Sequence, residues 1–192
     1  MKKESIIIGV VIVVVIAILG FILFRPSNNT TTLETSDDIT KMVKTLYKNV
    51  NEELPELETT TIDASNLDEL SAYTGLKSNE NIETVVVSAP LMNAIAYNLA
   101  VIKVKDNANI ETVKQEMLDN INMRRWICVS AEKLYITNTD NVIFLIMGSK
   151  DTVQPIYNEF KKYVNNNIGK ELEKTNSDGD VELPSQPIPV ID

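Results

Sequence analysis

Hydrophobic positions along the chain fall into three regimes. Residues 5–24, SIIIGVVIVVVIAILGFILF, are uncharged, and 16 of the 20 are Ile, Val, Leu or Phe. Residues 37–165 alternate between a helical and a strand period, whereas 25–36 and 166–192 are polar and carry scattered prolines. This spacing predicts a short leading segment at 1–4, an apolar span, a tether at 25–36, a folded domain over 37–165 and a disordered tail from 166 onward.

Within the domain, Ile39, Met42, Val43, Leu46, Tyr47 and Val50 recur at the spacing that lines one helix face. Ser36 is the expected cap, Asp37 and Asp38 suit the positive end of the dipole, and Pro55 stops the chain from continuing as helix. ELETTTID, 56–63, has strand character. A short helix through Leu67, Leu70 and Tyr73 is expected next, capped by Ser65 or Asn66 and closed by a left-handed Gly75.

From residue 82 the period shortens to two. IETVVVSA and AIAYNLAVIKVK read as strands around a turn at Pro90, followed by a helix over 110–121 that buries Ile110, Val113, Met117, Leu118 and Ile121. KLYITNT and NVIFLIMGS are two more strands, joined tightly at Thr139-Asp140-Asn141. A last helix buries Val153, Ile156, Tyr157, Phe160 and Val164, with Asp151 and Gln154 as an approximate capping box. The order is αβα and then ββα twice, a weak internal repeat with a Lys-Asp pair before each helix. The expected fold is α+β, an antiparallel sheet packed against helices on one face, preceded by one transmembrane helix.

About 20 apolar residues suffice to cross a hydrocarbon core of about 30 Å. At roughly −0.3 to −0.6 kcal/mol for each large apolar residue, residues 5–24 favour insertion by on the order of 5 kcal/mol. The run is longer than the apolar part of a cleavable signal peptide and ends in Phe24-Arg25-Pro26 rather than a small-x-small site, so an uncleaved signal-anchor is expected. Lys2 and Lys3 precede it and Arg25 alone follows. The amino terminus is therefore expected in the cytoplasm, with the domain outside a single-pass cell membrane anchor.

Charge narrows the partners. The chain carries 18 Lys+Arg and 27 Asp+Glu, a net of −9. Without its first 25 residues it loses Lys2, Lys3, Arg25 and Glu4, which leaves 15 positive and 26 negative side chains. Such a domain repels nucleic acid and anionic headgroups, so no nucleic-acid partner is expected. The expected partners are the lipid bilayer, through residues 5–24, and an envelope protein or small ligand. One cysteine allows no internal disulfide.

There is no histidine, which removes the usual base near neutral pH and the usual metal ligand. No metal or cofactor is expected, and no catalytic residue is assigned. Cys128 lies between apolar neighbours and reads as a packed, inert thiol. Arg124 and Arg125 fall at the end of the 110–121 helix, where cations complement the dipole; the alternative is a fork for a carboxylate or phosphate, with Trp126 beside it. Arg124, Arg125 and Trp126 are therefore the candidate anion or ligand site, and Trp126 reads as a core anchor. Ser130 and Lys133 match S-x-x-K, but neither S-D-N nor K-T-G accompanies them. Asp178, Asp180 and Glu182 fit no EF-hand register, and Glu52, Glu53, Glu56 and Glu58 read as solvated surface.

Tyr73-Thr74-Gly75-Leu76, Ala89-Pro90-Leu91-Met92 with Ala96-Tyr97, Arg124 to Val129 and the strand Val142 to Met147 together resemble the bacterial domain-of-unknown-function family 4358, over about residues 37–165. The resemblance implies an exported, membrane-attached bacterial protein and no particular activity. This chain departs from many look-alikes, which carry a lipidated cysteine where it carries an apolar span, so the resemblance carries over the location and not a shared partner. The functional expectation is a binding or interaction module at the cell envelope. The alternatives are a Ser-Lys or carboxylate hydrolase and a structural subunit of an envelope complex.

Overall fold

A computed structural model describes residues 32–50, 53–92 and 94–176. The expected span at 5–24, its orientation, the leading residues, most of the tether and the tail from 177 onward lie outside these residues. No helix among the described residues is long and apolar enough to cross a membrane.

The elements follow the predicted order. They are α1 (Ser36–Asn49), β1 (Leu57–Ile62), α2 (Leu67–Thr74), β2 (Ile82–Pro90), β3 (Tyr97–Val104), α3 (Ile110–Asn120), β4 (Lys133–Thr139), β5 (Val142–Gly148), α4 (Lys150–Tyr163) and β6 (Leu172–Thr175). The six strands form one sheet, ordered β1-β2-β3-β5-β4-β6. Every neighbouring pair is antiparallel.

Local chemistry accounts for several boundaries. Thr35, rather than Ser36, caps α1: its hydroxyl accepts from the Asp38 N–H while the Asp38 carboxylate accepts from the Thr35 N–H, a reciprocal capping box. Asn66 caps α2 through the Glu69 N–H, and Gly75 closes it at φ 79°. A Cβ at Gly75 would also lie 2.7 Å from the Ile121 nitrogen, so glycine lets the ends of α2 and α3 meet. β4 and β5 turn over Asp140 and Asn141, with Asp140 at φ 46°, a conformation Asp tolerates better than most residues.

The helices pack on both faces of the sheet, not on one. Val85, Val87, Ala100, Ile102, Leu134, Ile136, Ile143 and Leu145 point to one face, where Leu70 of α2 and Val113 and Met117 of α3 cover them. Val86, Leu99, Val101, Tyr135, Phe144 and Ile146 point to the other, against Met42 and Leu46 of α1 and Ile156 and Phe160 of α4. The sequence reason is visible in VVV, LAVI and VIFLIM. These strands do not alternate apolar with polar, and such runs need cover on both sides. The two ββα segments therefore resemble each other in order only. β3 and β5 are antiparallel neighbours, so a rotation that superposed the hairpins would keep both helices on one face, yet α3 and α4 lie on opposite faces.

The ordered chain also runs further than the predicted domain end. Residues 166–176 are not the start of a disordered tail: they lead into β6, which pairs with β4 from Ile136↔Leu172 to Lys133↔Thr175. They were missed because Asn165, Asn166, Asn167 and Gly169 look like a chain leaving the fold. A buried cation on α3, Lys114, holds them in place. Its ammonium donates to the Asn138 side chain and to the Lys170 carbonyl, each at 2.8 Å, and lies 2.6 Å from Glu111 Oε1.

Candidate functional site

The starts of β4 and α4 and the ends of β3's partner β5 and of β6 meet at one end of the sheet, since Gly148 faces both Tyr97 and Lys133, and Lys133 faces Thr175. The Ile121–Glu132 connection arrives at the same end. Around the final residues of β6 two clefts open, and Thr175 and Asn176 line both.

The larger cleft, about 760 Å³, lies beside the start of α4 and brings Ser130 and Lys133 together with Glu132, Lys150, Gln154 and Glu173. Lys133 and the helix end are already matched. Lys133 Nζ lies 3.0 Å from Glu173 Oε2 and 3.1 Å from Thr175 Oγ1, and 5.2 Å from the centre of the Tyr135 ring. The expected capping box of Asp151 and Gln154 does not form. Ser149 stands at the cap with its hydroxyl donating to Thr152 Oγ1 at 2.8 Å rather than accepting from a helix N–H, and the Lys150 N–H donates to Glu132 Oε2 at 3.0 Å. A carboxylate from the preceding loop thus sits where the α4 dipole favours negative charge. Gln154 is taken up by the Tyr135 hydroxyl, whose ring stacks on Tyr157 at 4.5 Å.

The smaller cleft, about 230 Å³, lies between the turn after α3 and the end of β6, lined by Asn122, Arg124 and Lys174 over Ile121 and Met123. The Arg124 N–H donates to Asn122 Oδ1 at 2.9 Å, which shapes the turn. Asn176 donates its backbone N–H to the Glu132 carbonyl, while its side-chain Nδ2 is buried without a hydrogen-bond partner.

The trio Arg124, Arg125 and Trp126 is split by the fold. Trp126 is 9% exposed and belongs to the core on the α2–α3 face. Arg125 packs beside it, its guanidinium 4.3 Å from the centre of the Tyr73 ring and 5.7 Å from that of Trp126. It does cap a helix, but not the expected one. Arg125 Nη1 donates at 2.6 Å to the Ala72 carbonyl in the last turn of α2, whereas α3 ends on the Ile121 N–H bonding back to Met117. Only Arg124 lines a cleft.

Cys128 is exposed rather than packed, at φ 60°, and Ile127 beside it is 69% exposed. The reason is the alternation of the connection itself: Met123 and Trp126 take the inward positions and bring the chain past the core, so 127–129 form an outward tip. Among the described residues no group of three metal-ligating side chains converges.

Sequence reasoning missed Lys114 and the 172–176 segment, both of which shape these clefts. Lys114 could have been noticed, since it stands four residues after Ile110 and three before Met117, on the apolar stripe of its own helix. Comparison with known protein families, with characterised proteins and with solved structures finds no match to this chain. The resemblance to family 4358 therefore rests on the quoted residues alone.

Proposed function

We propose that this chain is a single-pass, membrane-anchored envelope protein whose extracytoplasmic α+β domain is a binding module, using the clefts around the end of β6. The apolar run at 5–24, with Lys2 and Lys3 before it, supports the anchor and its direction. What favours binding over catalysis is the state of the larger cleft: Lys133 is engaged by Glu173 and Thr175, Glu132 caps α4, and no hydrogen bond joins Ser130 to Lys133 among the described residues. A serine nucleophile is activated by a base hydrogen-bonded to it.

The test uses the full chain with a carboxyl-terminal tag. The reading expects the protein to stay in membranes through a carbonate wash and the tag to be digested when protease is added to intact spheroplasts. Release by carbonate, or a protected tag, overturns it.

One observation favours a second reading: Ser130 and Lys133, three apart in sequence, line the same cleft. On the hydrolase reading a fluorophosphonate probe labels the full chain, and Ser130→Ala abolishes the label. An unlabelled wild-type chain removes that reading's support.

A further inference from the structure

We propose that the carboxyl-terminal segment of this chain, through Ile188, Val190 and Ile191, docks on the exposed apolar residues Leu91, Met92 and Ile127 at one end of the sheet. The contact is internal to the chain and does not rest on reading the domain as a binding module.

The surface is the first argument. Among the described residues the exposed large hydrophobics are Leu67, Leu91, Met92, Ile127 and Val129, and four of these five belong to two connections, β2 to β3 and α3 to β4. Both connections land on Gly148, the last residue of β5. The Glu132 N–H donates to the Gly148 carbonyl at 2.9 Å, and the Ala96 carbonyl oxygen lies 2.9 Å from where a Gly148 Cβ would stand. Met92 is four residues from Ala96 and Ile127 five from Glu132, so both apolar tips belong to the same end of the sheet. Apolar residues scattered singly need no partner, whereas a set gathered at one end marks a contact surface.

The occupant follows from where the chain leaves the described structure. Asn176 donates its N–H to the Glu132 carbonyl at 2.9 Å, on the connection that carries Ile127. The amino-terminal entry is at the other end of β3, where Leu33 is buried and Glu34 accepts from Lys103 at 2.6 Å. Ile188 is twelve residues past Asn176, and Ile127 is five residues from Glu132. At about 3.3 Å per residue the first interval reaches up to about 40 Å and the second at most about 17 Å, so the segment can span the distance.

The segment also has the right chemistry. Stretches that stay solvated are poor in β-branched residues, yet Ile188, Val190 and Ile191 fall within four positions. Proline restricts φ, so a segment carrying Pro184, Pro187 and Pro189 loses less entropy on docking than an unrestricted one. A connection of this length supplies an effective concentration on the order of millimolar, so weak, exchanging contacts suffice and the neighbouring Cys128 thiol stays open to reagents. A second copy has no such connection, and the acidic balance of the domain opposes an anionic bilayer.

Cys128, the only cysteine in the chain and exposed, carries the reporter for the test. A nitroxide spin label is placed on Cys128 of the full chain in phosphatidylcholine bicelles, and paramagnetic relaxation is measured at the backbone amides of residues 188–192. Wild type is compared with Leu91→Ser/Met92→Ser/Ile127→Ser and with Ile188→Ser/Val190→Ser/Ile191→Ser. Leu91, Met92 and Ile127 are exposed, so serine there leaves the core intact. The proposal expects relaxation in wild type at least about threefold above both variants, because a tethered but undocked segment visits the label only in passing. Equal relaxation in the three chains overturns the contact. Excess relaxation of an isotope-labelled Cys128→Ser chain by a separate spin-labelled chain assigns the surface to a second copy and overturns it as well. Relaxation of Ile127 by a spin-labelled lipid assigns the surface to the bilayer, with the same consequence. Each of these results leaves the carbonate and protease tests, and so the module reading, standing.

Discussion

The ammonium nitrogen of Lys114 lies 2.8 Å from the backbone carbonyl of Lys170, and Lys114 has no exposed surface. One helix residue thereby ties down the segment that becomes β6 and forms a wall of both clefts. Its stem runs along the α3 stripe while its head meets Asn138, Lys170 and the half-exposed Glu111. The shape of both clefts therefore depends on a contact far from their mouths.

Lys114→Met keeps the stem and removes the donors, leaving Asn138 Oδ1 and the Lys170 carbonyl unmatched. A loss of about 2–4 kcal/mol is expected in urea unfolding, the cost of buried polar groups without partners. Hydrogen exchange at the amides of residues 172–175 should rise more than at β3 or β5. Equal protection of β6 in variant and wild type shows that Lys114 does not hold the strand.

Gly169 is the companion of that clamp. A Cβ there would fall 2.1 Å from Asn138 Oδ1, so Gly169→Ala must displace the side chain that receives Lys114. Destabilisation of about 1–3 kcal/mol is expected. Because both substitutions disturb one network, the double variant should lose less than the sum of the singles. Full additivity in a double-mutant cycle separates the two contacts.

Arg124 and Arg125, adjacent in sequence, should behave differently. Arg125→Ala removes a hydrogen bond to α2 and the stacking on Tyr73 and should cost about 1–2 kcal/mol of stability. Arg125→Lys should recover only part, since an ammonium cannot stack and bond in the same plane. Arg124→Ala should leave thermal unfolding near wild type. A larger loss for Arg124→Ala than for Arg125→Ala contradicts the division of roles.

Alkaline sensitivity should come from a tyrosine pair. The hydroxyls of Tyr47 and Tyr97 are 2.9 Å apart. Burial pushes Tyr47 up to about 12, and burial with the neighbouring Tyr47 raises Tyr97 well above the usual value near 10. The folded state thus favours the protonated phenols. Their contribution is complete below pH 10 and is lost as pH rises through the folded value of about 12 for Tyr47. Unfolding followed by circular dichroism should show stability falling above pH 10, and Tyr47→Phe should flatten that fall. An identical alkaline limb in Tyr47→Phe excludes this pair as its source.

Cys128 offers a simple check of the loop tip. The thiol is exposed, so one equivalent should react with Ellman's reagent in the native protein as fast as after unfolding, within a few-fold. Protection until denaturation places the residue in the interior and returns the connection to the packed form that its apolar neighbours suggest.

Much of the fold was legible in the order of residues because it depends on local chemistry. The period of Ile39, Met42, Val43 and Leu46 marks α1, and Asn66 and Gly75 bracket α2. The interval between Thr139 and Val142 sets a tight hairpin. The site was legible only as a neighbourhood. RRW could be singled out, but nothing local tells Arg124 from Arg125. Their roles diverge because Ala72 and Tyr73, more than fifty positions earlier, come to lie beside one and not the other.

What the sequence determined by itself was each element whose signal fits within about a dozen residues, together with the apolar run at 5–24 and the acidic balance of the remainder. Tertiary structure alone decided which sheet face each helix covers, that the chain after α4 returns as the edge strand Leu172–Thr175, and that a lysine can be wholly interior. The physical reason is range: caps, periods and turns are settled by neighbours along the chain. The burial of Lys114 and the opening of a cleft beside Arg124 depend on partners that meet only when the sheet closes.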